Sequence, residues 1–239
     1  MRSHWTDQPR WTAAFALALC AYLASRPPAG AAECPVIRWV ERKLDRSVGA
    51  SFAPNNTYRA NDSFPADWRR VAILPMAVPD AGAQSMSGEQ TLSPAILREL
   101  GKRLSFEVVP LAPESLRRVT GRAIWRADDP LPQELLNFVR DQKACQGLIF
   151  AELTQYHAYG PLQIGWKMKL IDTRQASVFW AFDQVFNSGV GSVATAARRY
   201  AQDHHAEPNS ISDQQLILSS PARFGEYTLS AAFNTLPSR

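Results

Sequence analysis

The chain has 239 residues, and its 26 basic and 22 acidic side chains give a net charge of +4 with neutral histidines. Three of the bases and one of the acids lie in the first 32 residues, so the 207 residues that follow carry 23 bases and 21 acids. A net charge of +2 does not predict nucleic acid or an anionic membrane as partner. A chain of this length can bury one good hydrophobic core but not two large ones.

The first 32 residues have the layout of a secretory signal peptide. Arg2 and Arg10 precede an apolar run over residues 11–24, and a stretch of small residues follows at positions 29–32 (AGAA). The apolar run is about 14 residues long, whereas roughly 20 are needed to span a bilayer as a helix. We therefore predict a leader that is removed on export, and a protein that works in the periplasm or elsewhere outside the cytoplasm.

Three cysteines occur in the chain. A lipid anchor at Cys20 is an alternative fate for the leader, but Leu19 stands where a lipobox has Gly, Ala or Ser, so attachment to the outer membrane has no support here. Removal of the leader leaves Cys34 and Cys145, and an oxidising compartment would permit a disulfide between them. Two unpaired thiols, with Cys145 buried, are the alternative, because spacing alone does not establish the geometry of a disulfide.

The mature chain divides into an arm and a domain. Residues 33–66 mix Pro, Asn, Ser and Arg with little periodicity, which predicts an extended N-terminal arm. Residues 67–239 are expected to form a single α/β domain. Its first strand is the continuous apolar run at residues 71–76, a pattern typical of a strand that is covered on both faces.

The next elements alternate between helix and strand. Ser93 and Pro94 predict a helix start, with Ile96, Leu97, Leu100 and Leu104 on the apolar face and Arg98, Glu99, Lys102 and Arg103 facing away. A short strand is predicted at residues 106–111, a short helix from residue 113, and a second amphipathic helix over residues 132–144. This β-α-β-α order indicates a layered α/β sheet.

The second half is predicted to contain three strands, at residues 147–157, 163–172 and 177–187. Their short connections imply antiparallel neighbours. In the middle strand, apolar residues alternate with Lys167 and Lys169, so one face should be buried and the other exposed to solvent. Helices follow over residues 190–203 and from Ser220-Pro221 onward. The complete prediction is a mixed, roughly five-stranded sheet in the order β-α-β-α-β-β-β-α-α, flanked by helices.

Several of these segments also resemble a superfamily of bacterial envelope proteins. The matching pieces are residues 70–75 (RVAILP), 106–109 (FEVV), 147–153 (GLIFAEL), 170–173 (LIDT) with 178–180 (VFW), and 220–224 (SPARF). They are similar to the periplasmic domain of the curli secretion channel, the N-terminal domain of TolB and the lipoprotein activators of penicillin-binding proteins. The resemblance covers roughly residues 68–236 and implies a non-catalytic binding or assembly domain. The chain departs from the family in its poor lipobox, and in Ala176, which lies in a turn where Gly is usual.

No catalytic motif stands out in the sequence, and no phosphate-binding loop, nucleophile elbow or dinucleotide fingerprint occurs. His204 and His205, with Asp203 and Glu207, are the densest group of metal-capable side chains. Adjacent helical residues point about 100° apart and do not easily share an ion. The sequence therefore predicts no metal, no cofactor and no catalytic residue. The rival hypothesis is a periplasmic hydrolase whose site gathers carboxylates and a histidine, namely Glu152, Asp172, Asp183 and His157.

Aromatic residues concentrate in the three-stranded second half, where most are expected in the core. Strand alternation predicts Phe179 and Trp180 on opposite faces, so Tyr156, Tyr159, Phe179 and Trp180 are candidates for a partner-binding surface. The favoured hypothesis is an exported envelope accessory protein that binds another envelope protein or self-associates, without catalysis.

The leader hypothesis predicts a defined mature end. We expect signal peptidase to cut after Ala31 or Ala32, because it requires small side chains at the first and third positions before the bond, and both bonds satisfy this small-x-small pattern. Mass spectrometry of the chain recovered from the envelope fraction tests this. A mature chain that begins with an acylated Cys20, or an intact leader, would contradict it.

Overall fold

The computed structural model describes residues 52–78, 83–103, 106–204 and 216–239. The predicted signal peptide, Cys20, Cys34, Leu104, His205 and Glu207 lie outside these ranges. The strands are β1 (Thr57–Arg59), β2 (Arg70–Ile73), β3 (Glu107–Pro110), β4 (Gly147–His157), β5 (Gln163–Asp172) and β6 (Ser177–Asn187). The helices are α1 (Ala83–Arg103), α2 (Pro113–Thr120), α3 (Gln133–Asn137), α4 (Gly191–His204) and α5 (Pro221–Phe233), and α3 continues into a π-helical turn over Phe138–Gln142.

The strands form one mixed sheet in the order β1-β6-β5-β4-β2-β3. Strand β2 is parallel to both β3 and β4, whereas β4, β5 and β6 form an antiparallel meander. The predicted α/β class is confirmed, and all five predicted strands are present. The sixth, β1, comes from the segment predicted as an arm and pairs antiparallel with β6. Phe64, five residues after the last residue of β1, is also part of the core.

The inner face of the meander is covered by α1, α4 and α5. Alternate residues of β5 and β6 point into this layer and are almost completely buried. Two of them also donate hydrogen bonds to this layer: Trp166 Nε1 to Thr228 Oγ1 of α5 at 2.9 Å, and Trp180 Nε1 to Thr235 Oγ1, two residues after α5, at 3.0 Å. The indole N–H groups are therefore satisfied, which makes burial of the two rings favourable.

The outer face is covered by α2 and α3, which pack on β2 and β4 in a second core cluster. The loop over residues 121–131 extends this cover toward β5. There the buried carboxylate of Glu152 accepts from Arg126 Nε at 3.0 Å and from the backbone N–H of Ala127 at 3.1 Å. Lys167 pairs with Asp128, and Lys169 donates to the carbonyl of Ala127. Lys167 and Lys169, which were predicted to be exposed to solvent, are therefore half-buried under this loop.

Helix α1 differs from its prediction at the start and in its buried face. It begins at Ala83, so the predicted start at Ser93-Pro94 is wrong, and Pro94 lies inside the helix. The earlier start adds Gly88 and Leu92 to the buried face, which then continues through Ala95 and Ile96. Leu97, predicted on the apolar face, is 41% exposed, whereas Glu99, predicted to face away, is only 4% exposed.

Helix α5 begins as predicted from its Ser-Pro pair. Ser220 is the N-cap, its side chain accepts from the backbone N–H of Arg223, and Pro221 occupies the first turn. This arrangement satisfies one of the free N–H groups at the start of the helix.

At the β5–β6 turn, Ala176 has φ 52°, the left-handed conformation that favours glycine. In the described part of the chain, no helix combines the length and apolarity that crossing a bilayer requires.

The packing of α1 on α5 predicts opposite effects for two Gly→Ala substitutions. A Cβ built on Gly225 would lie 2.1 Å from Leu92 Cδ2, whereas a Cβ on Gly101 has nothing within 4 Å. We expect Gly225→Ala to lower the free energy of unfolding by about 1–3 kcal/mol through overpacking. Gly101→Ala, the matched control in α1, should raise it by about 0.5–1 kcal/mol, because alanine favours helix. Urea denaturation measures both, and equal effects would contradict the close packing of the two helices.

Candidate functional site

The four aromatic residues predicted to form a partner-binding surface do not share one surface. Tyr156, Phe179 and Trp180 are 8%, 4% and 0% exposed, whereas Tyr159 is 75% exposed. The three buried residues belong to the inner core, so only Tyr159 is placed to contact a partner.

The predicted placement of Phe179 and Trp180 on opposite faces is wrong. Leu170 pairs with Trp180, but the next residue, Ile171, pairs with Val178, so Phe179 is an extra residue in β6. Such a bulge interrupts strict alternation. Phe179 turns inward as a result, where its ring centroid lies 4.9 Å from that of Trp68.

Tyr159 lies at the end of the meander, on a turn that is bonded to its neighbour. We call residues 158–161 and 188–190, the β4–β5 and β6–α4 turns, the meander tip. Across it, the backbone N–H of Leu162 donates to Ser188 Oγ at 2.8 Å, and the N–H of Ser188 donates to the carbonyl of Leu162 at 2.9 Å. Val190, on the second turn, is 47% exposed. The tip thus presents an exposed aromatic side chain on a fixed backbone.

The side chains named in the hydrolase hypothesis lie apart. Glu152 is opposite Lys167 in β5, five residues from Asp172, which is about 17 Å along an antiparallel strand. His157 is opposite Gln163, at the far end of the same strand from Asp172. Asp172 instead accepts from the backbone N–H groups of its own turn, and Asp183 is exposed.

Of the predicted metal-capable cluster, the structure describes Asp203, which is exposed, and His204. Its ring stacks on that of Tyr200 with centroids 4.2 Å apart, and its Nδ1 lies 3.0 Å from the carbonyl oxygen of Tyr200. Within the described ranges, no three side chains of His, Cys, Asp or Glu are grouped to hold a metal ion. Cys145 is buried, and its predicted partner Cys34 lies outside those ranges, so the disulfide stays a prediction.

A cavity of about 660 Å³ lies between the last turns of α1, α4 and α5. This is within the volume range of small-ligand sites. Residues 52–54 form one more wall. The charged lining residues are Glu99, Lys102, Arg103, Arg199 and Asp203, and the aromatic ones are Phe52, Tyr200, His204, Tyr227 and Phe233.

Glu99 is the buried charge of this cavity. Lys102 Nζ donates to its Oε1 at 2.7 Å, and Arg98 Nε lies 3.8 Å from the same oxygen. The neighbouring Tyr200 hydroxyl has its pKa raised, chiefly by burial and then by the negative charges of Glu99 and Glu226. The carboxylate is thus held by two cations whose own side chains are half-exposed.

Tyr227 supplies a hydroxyl without a partner. Its residue is 4% exposed, and among the described residues nothing hydrogen-bonds to its Oη. Burial raises the pKa of this hydroxyl. Its oxygen atom has almost no accessible surface, so the hydroxyl is enclosed by protein and does not face the cavity.

Sequence reasoning missed these cavity residues, although one signal was present. From Leu92, the spacings i+3, i+4 and i+7 lead to Ala95, Ile96 and Glu99, so Glu99 falls on the buried stripe once α1 is known to extend past Ser93. Tyr200 was correctly placed on the apolar side of α4. Its contact with α1 depends on how the helices pack, which periodicity does not encode.

No protein-family model and no curated protein sequence matches the chain. Among solved structures, it is similar to the PelC dodecamer from Paraburkholderia phytofirmans at 14% identity, over 77% of this chain and 98% of that chain, with a TM-score of 0.39. It is similar to lipoprotein GNA1162 from Neisseria meningitidis at 15% identity, over 60% and 99% of the two chains, with a TM-score of 0.38. The LpoB C-terminal domain from Salmonella enterica matches at 9% identity over 49% and 82%, with a TM-score of 0.33.

The unpaired hydroxyl predicts the behaviour of Tyr227→Phe. Removal of a buried hydroxyl without a partner should leave the free energy of unfolding at pH 7 unchanged or raise it by up to about 1 kcal/mol. An ordinary tyrosine ionises near pH 10, so stability conferred by the raised pKa of Tyr227 is complete below about pH 10 and is lost as the pH rises further.

Urea denaturation at pH 8 and pH 11 tests this, with the exposed Tyr159→Phe as the control. We expect the fall in unfolding free energy between the two pH values to be smaller in Tyr227→Phe than in the wild type. Equal falls would show that the buried hydroxyl ionises as readily as one in the unfolded chain.

Proposed function

We propose that this chain is an exported accessory protein of the bacterial cell envelope that acts by binding another envelope protein, not by catalysis. The leader over residues 1–32 supports export. The sequence resemblance to envelope proteins supports the compartment and the non-catalytic role.

The segments that carry the resemblance are structural parts of one domain. Residues 70–75 contain β2, residues 106–109 enter β3, and residues 147–153 are the first two-thirds of β4. Residues 170–173 and 178–180 flank the β5–β6 turn, and residues 220–224 begin α5. They occupy the strands and the helix start that an envelope domain of this kind would share, which supports the resemblance as one of fold.

The observation that carries the binding proposal is the exposed Tyr159 on the meander tip. A tyrosine offers a large contact area together with a hydroxyl, and few rotamers are lost when it binds. The hydrogen bonds across the tip hold both turns in place before binding, which lowers the cost of ordering them. Such a residue is suited to act as the anchor of a protein interface.

The hydrolase hypothesis rested on a site that gathers Glu152, Asp172 and His157. The three side chains lie at different levels of the β4–β5 hairpin, and Glu152 is bonded to Arg126 and Ala127. The proposal therefore favours binding at the tip over hydrolysis at these residues.

Replacement of Tyr159 tests the proposal. In cells that carry the full chain, we expect Tyr159→Asp to abolish the crosslinked complex with its envelope partner, since a carboxylate cannot replace a buried aromatic anchor. The urea midpoint should not change, because the side chain is exposed. Crosslinking followed by mass spectrometry reads out the complex.

Tyr58→Asp is the matched control. Tyr58 is 54% exposed on the edge strand β1, and its loss should leave the complex intact. Retention of the complex in Tyr159→Asp, or equal loss in both variants, would overturn the assignment of the interface to the tip. A crosslinked complex that contains only copies of this chain would show self-association and would contradict the proposed envelope partner.

A further inference from the structure

The meander tip lies in a part of the chain that carries no formal charge. Residues 154–166 and 184–197 contain the tip, the strand ends beside it and the start of α4, and they include no Asp, Glu, Lys or Arg. Charged residues make up 20% of the whole chain, so a surface this uncharged is unusual for this protein.

The opposite end of the sheet is charged. Strand β4 begins at Gly147 opposite Asp172, so the β5–β6 turn lies at the start of β4, whereas the tip lies at its end. Near that turn Arg174 pairs with Asp67, and Arg70 at the start of β2 pairs with Glu107. Absence of charge is therefore a property of the tip and not of the turns of this sheet in general.

Apolar side chains are exposed in the same uncharged region. Tyr159, Val190 and Val185 are 75%, 47% and 42% exposed, and they are three of the eight large hydrophobic residues that are exposed in the described part of the chain. The strand partner of Val185 is Gly165, which has no side chain to cover it. Such a surface loses its water at low cost on binding, because no charged group has to give up its hydration.

The exposed backbone of the tip favours a protein over a lipid surface as its partner. Gly160 and Gly189 are exposed between the apolar side chains, so their N–H and C=O groups are not shielded. The hydrocarbon of a bilayer cannot bond to such groups. The region also lacks the Lys and Arg side chains that bind anionic headgroups. A protein surface can supply both apolar area and neutral hydrogen-bonding groups.

We propose that the meander tip binds an uncharged, largely apolar surface of its envelope protein partner, and that no ion pair forms across the contact. Tyr159 and Val190 pack on the apolar part of that surface, and the backbone of the two turns bonds to its neutral polar groups. This inference rests on the proposed function, because it names the chemistry of the surface that Tyr159 meets.

Charges of both signs at Gly191 test this. Gly191 is exposed directly after the tip, and a Cβ built on it has nothing within 4 Å. In the crosslinking experiment on intact cells, we expect Gly191→Asp and Gly191→Lys each to reduce the yield of the complex at least about fivefold, because either charge would lose its hydration against an uncharged surface. Gly191→Asn, which adds a neutral polar side chain, is the matched control and should keep most of the wild-type yield.

Three results of this series would overturn the proposal. Loss with one sign of charge and retention with the other would show a charged partner surface. Retention with both charges would show that a charge is tolerated beside the tip. Equal loss in Gly191→Asn would show that the added volume, and not the charge, is responsible. Urea denaturation of each variant shows whether the domain is folded.

Salt dependence gives a second measurement on the wild-type chain. Crosslinking in isolated envelopes at 0.05 and 0.5 M NaCl should give yields that agree within about twofold, because salt screens exposed ion pairs but not apolar contacts. A fall of about tenfold at the higher concentration would show that ion pairs hold the complex and would contradict the proposal.

Flotation of the processed chain with phosphatidylcholine vesicles tests the lipid alternative. We expect the chain not to float, and flotation that is lost in Tyr159→Asp would replace the protein partner with a bilayer. Tyr159→Asp also distinguishes the two proposals. Loss of the complex in Tyr159→Asp with retention in Gly191→Asp and Gly191→Lys would keep the tip as the interface and reject only its uncharged partner. Retention in Tyr159→Asp would reject both.

Discussion

The placement of α5 on the sheet depends on two indole side chains. Trp166 and Trp180 lie on adjacent strands, are fully buried, and donate to Thr228 and Thr235 of the α5 segment. Burial of a tryptophan is more favourable where its N–H has a partner, so these two bonds help to fix the position of α5 and of the turn that follows it. Because α5 in turn packs against α1 through Gly225, the whole helical layer takes its position from the meander.

That layer creates the cavity. Arg98 pairs with Glu226 and Arg103 bonds to the carbonyl of Phe233, so α1 and α5 run parallel and end side by side. Helix α4 completes the walls through Tyr200, whose ring lies 5.9 Å from that of Tyr227. The end of the sheet that carries Tyr159 is formed by two turns outside this layer. The fold therefore separates a concave, charged site from an exposed aromatic one.

Sequence patterns predicted the parts of this fold that are specified locally. The apolar run of β2, the alternation in β5 and the Ser220-Pro221 start of α5 are signals within a few residues.

The errors in the predicted fold have non-local causes. Strand β1 has three residues and exists because it pairs with β6, more than 120 residues away. Pro94 is tolerated inside α1 because residues on both sides of it are buried. The bulge at Phe179 interrupts the alternation of β6, so the prediction that Phe179 and Trp180 lie on opposite faces is wrong. Of the four aromatic residues predicted to lie on a surface, only Tyr159 is exposed.

We propose that this chain works in the envelope as part of a complex with another envelope protein. Native electrophoresis of gently solubilised envelopes, with the wild-type chain detected by antibody, tests it most directly. The account predicts that the chain migrates in a discrete complex well above its own mass and contains an envelope protein when the band is sequenced. Migration as a free monomer, both in solubilised envelopes and after crosslinking of intact cells, would contradict it.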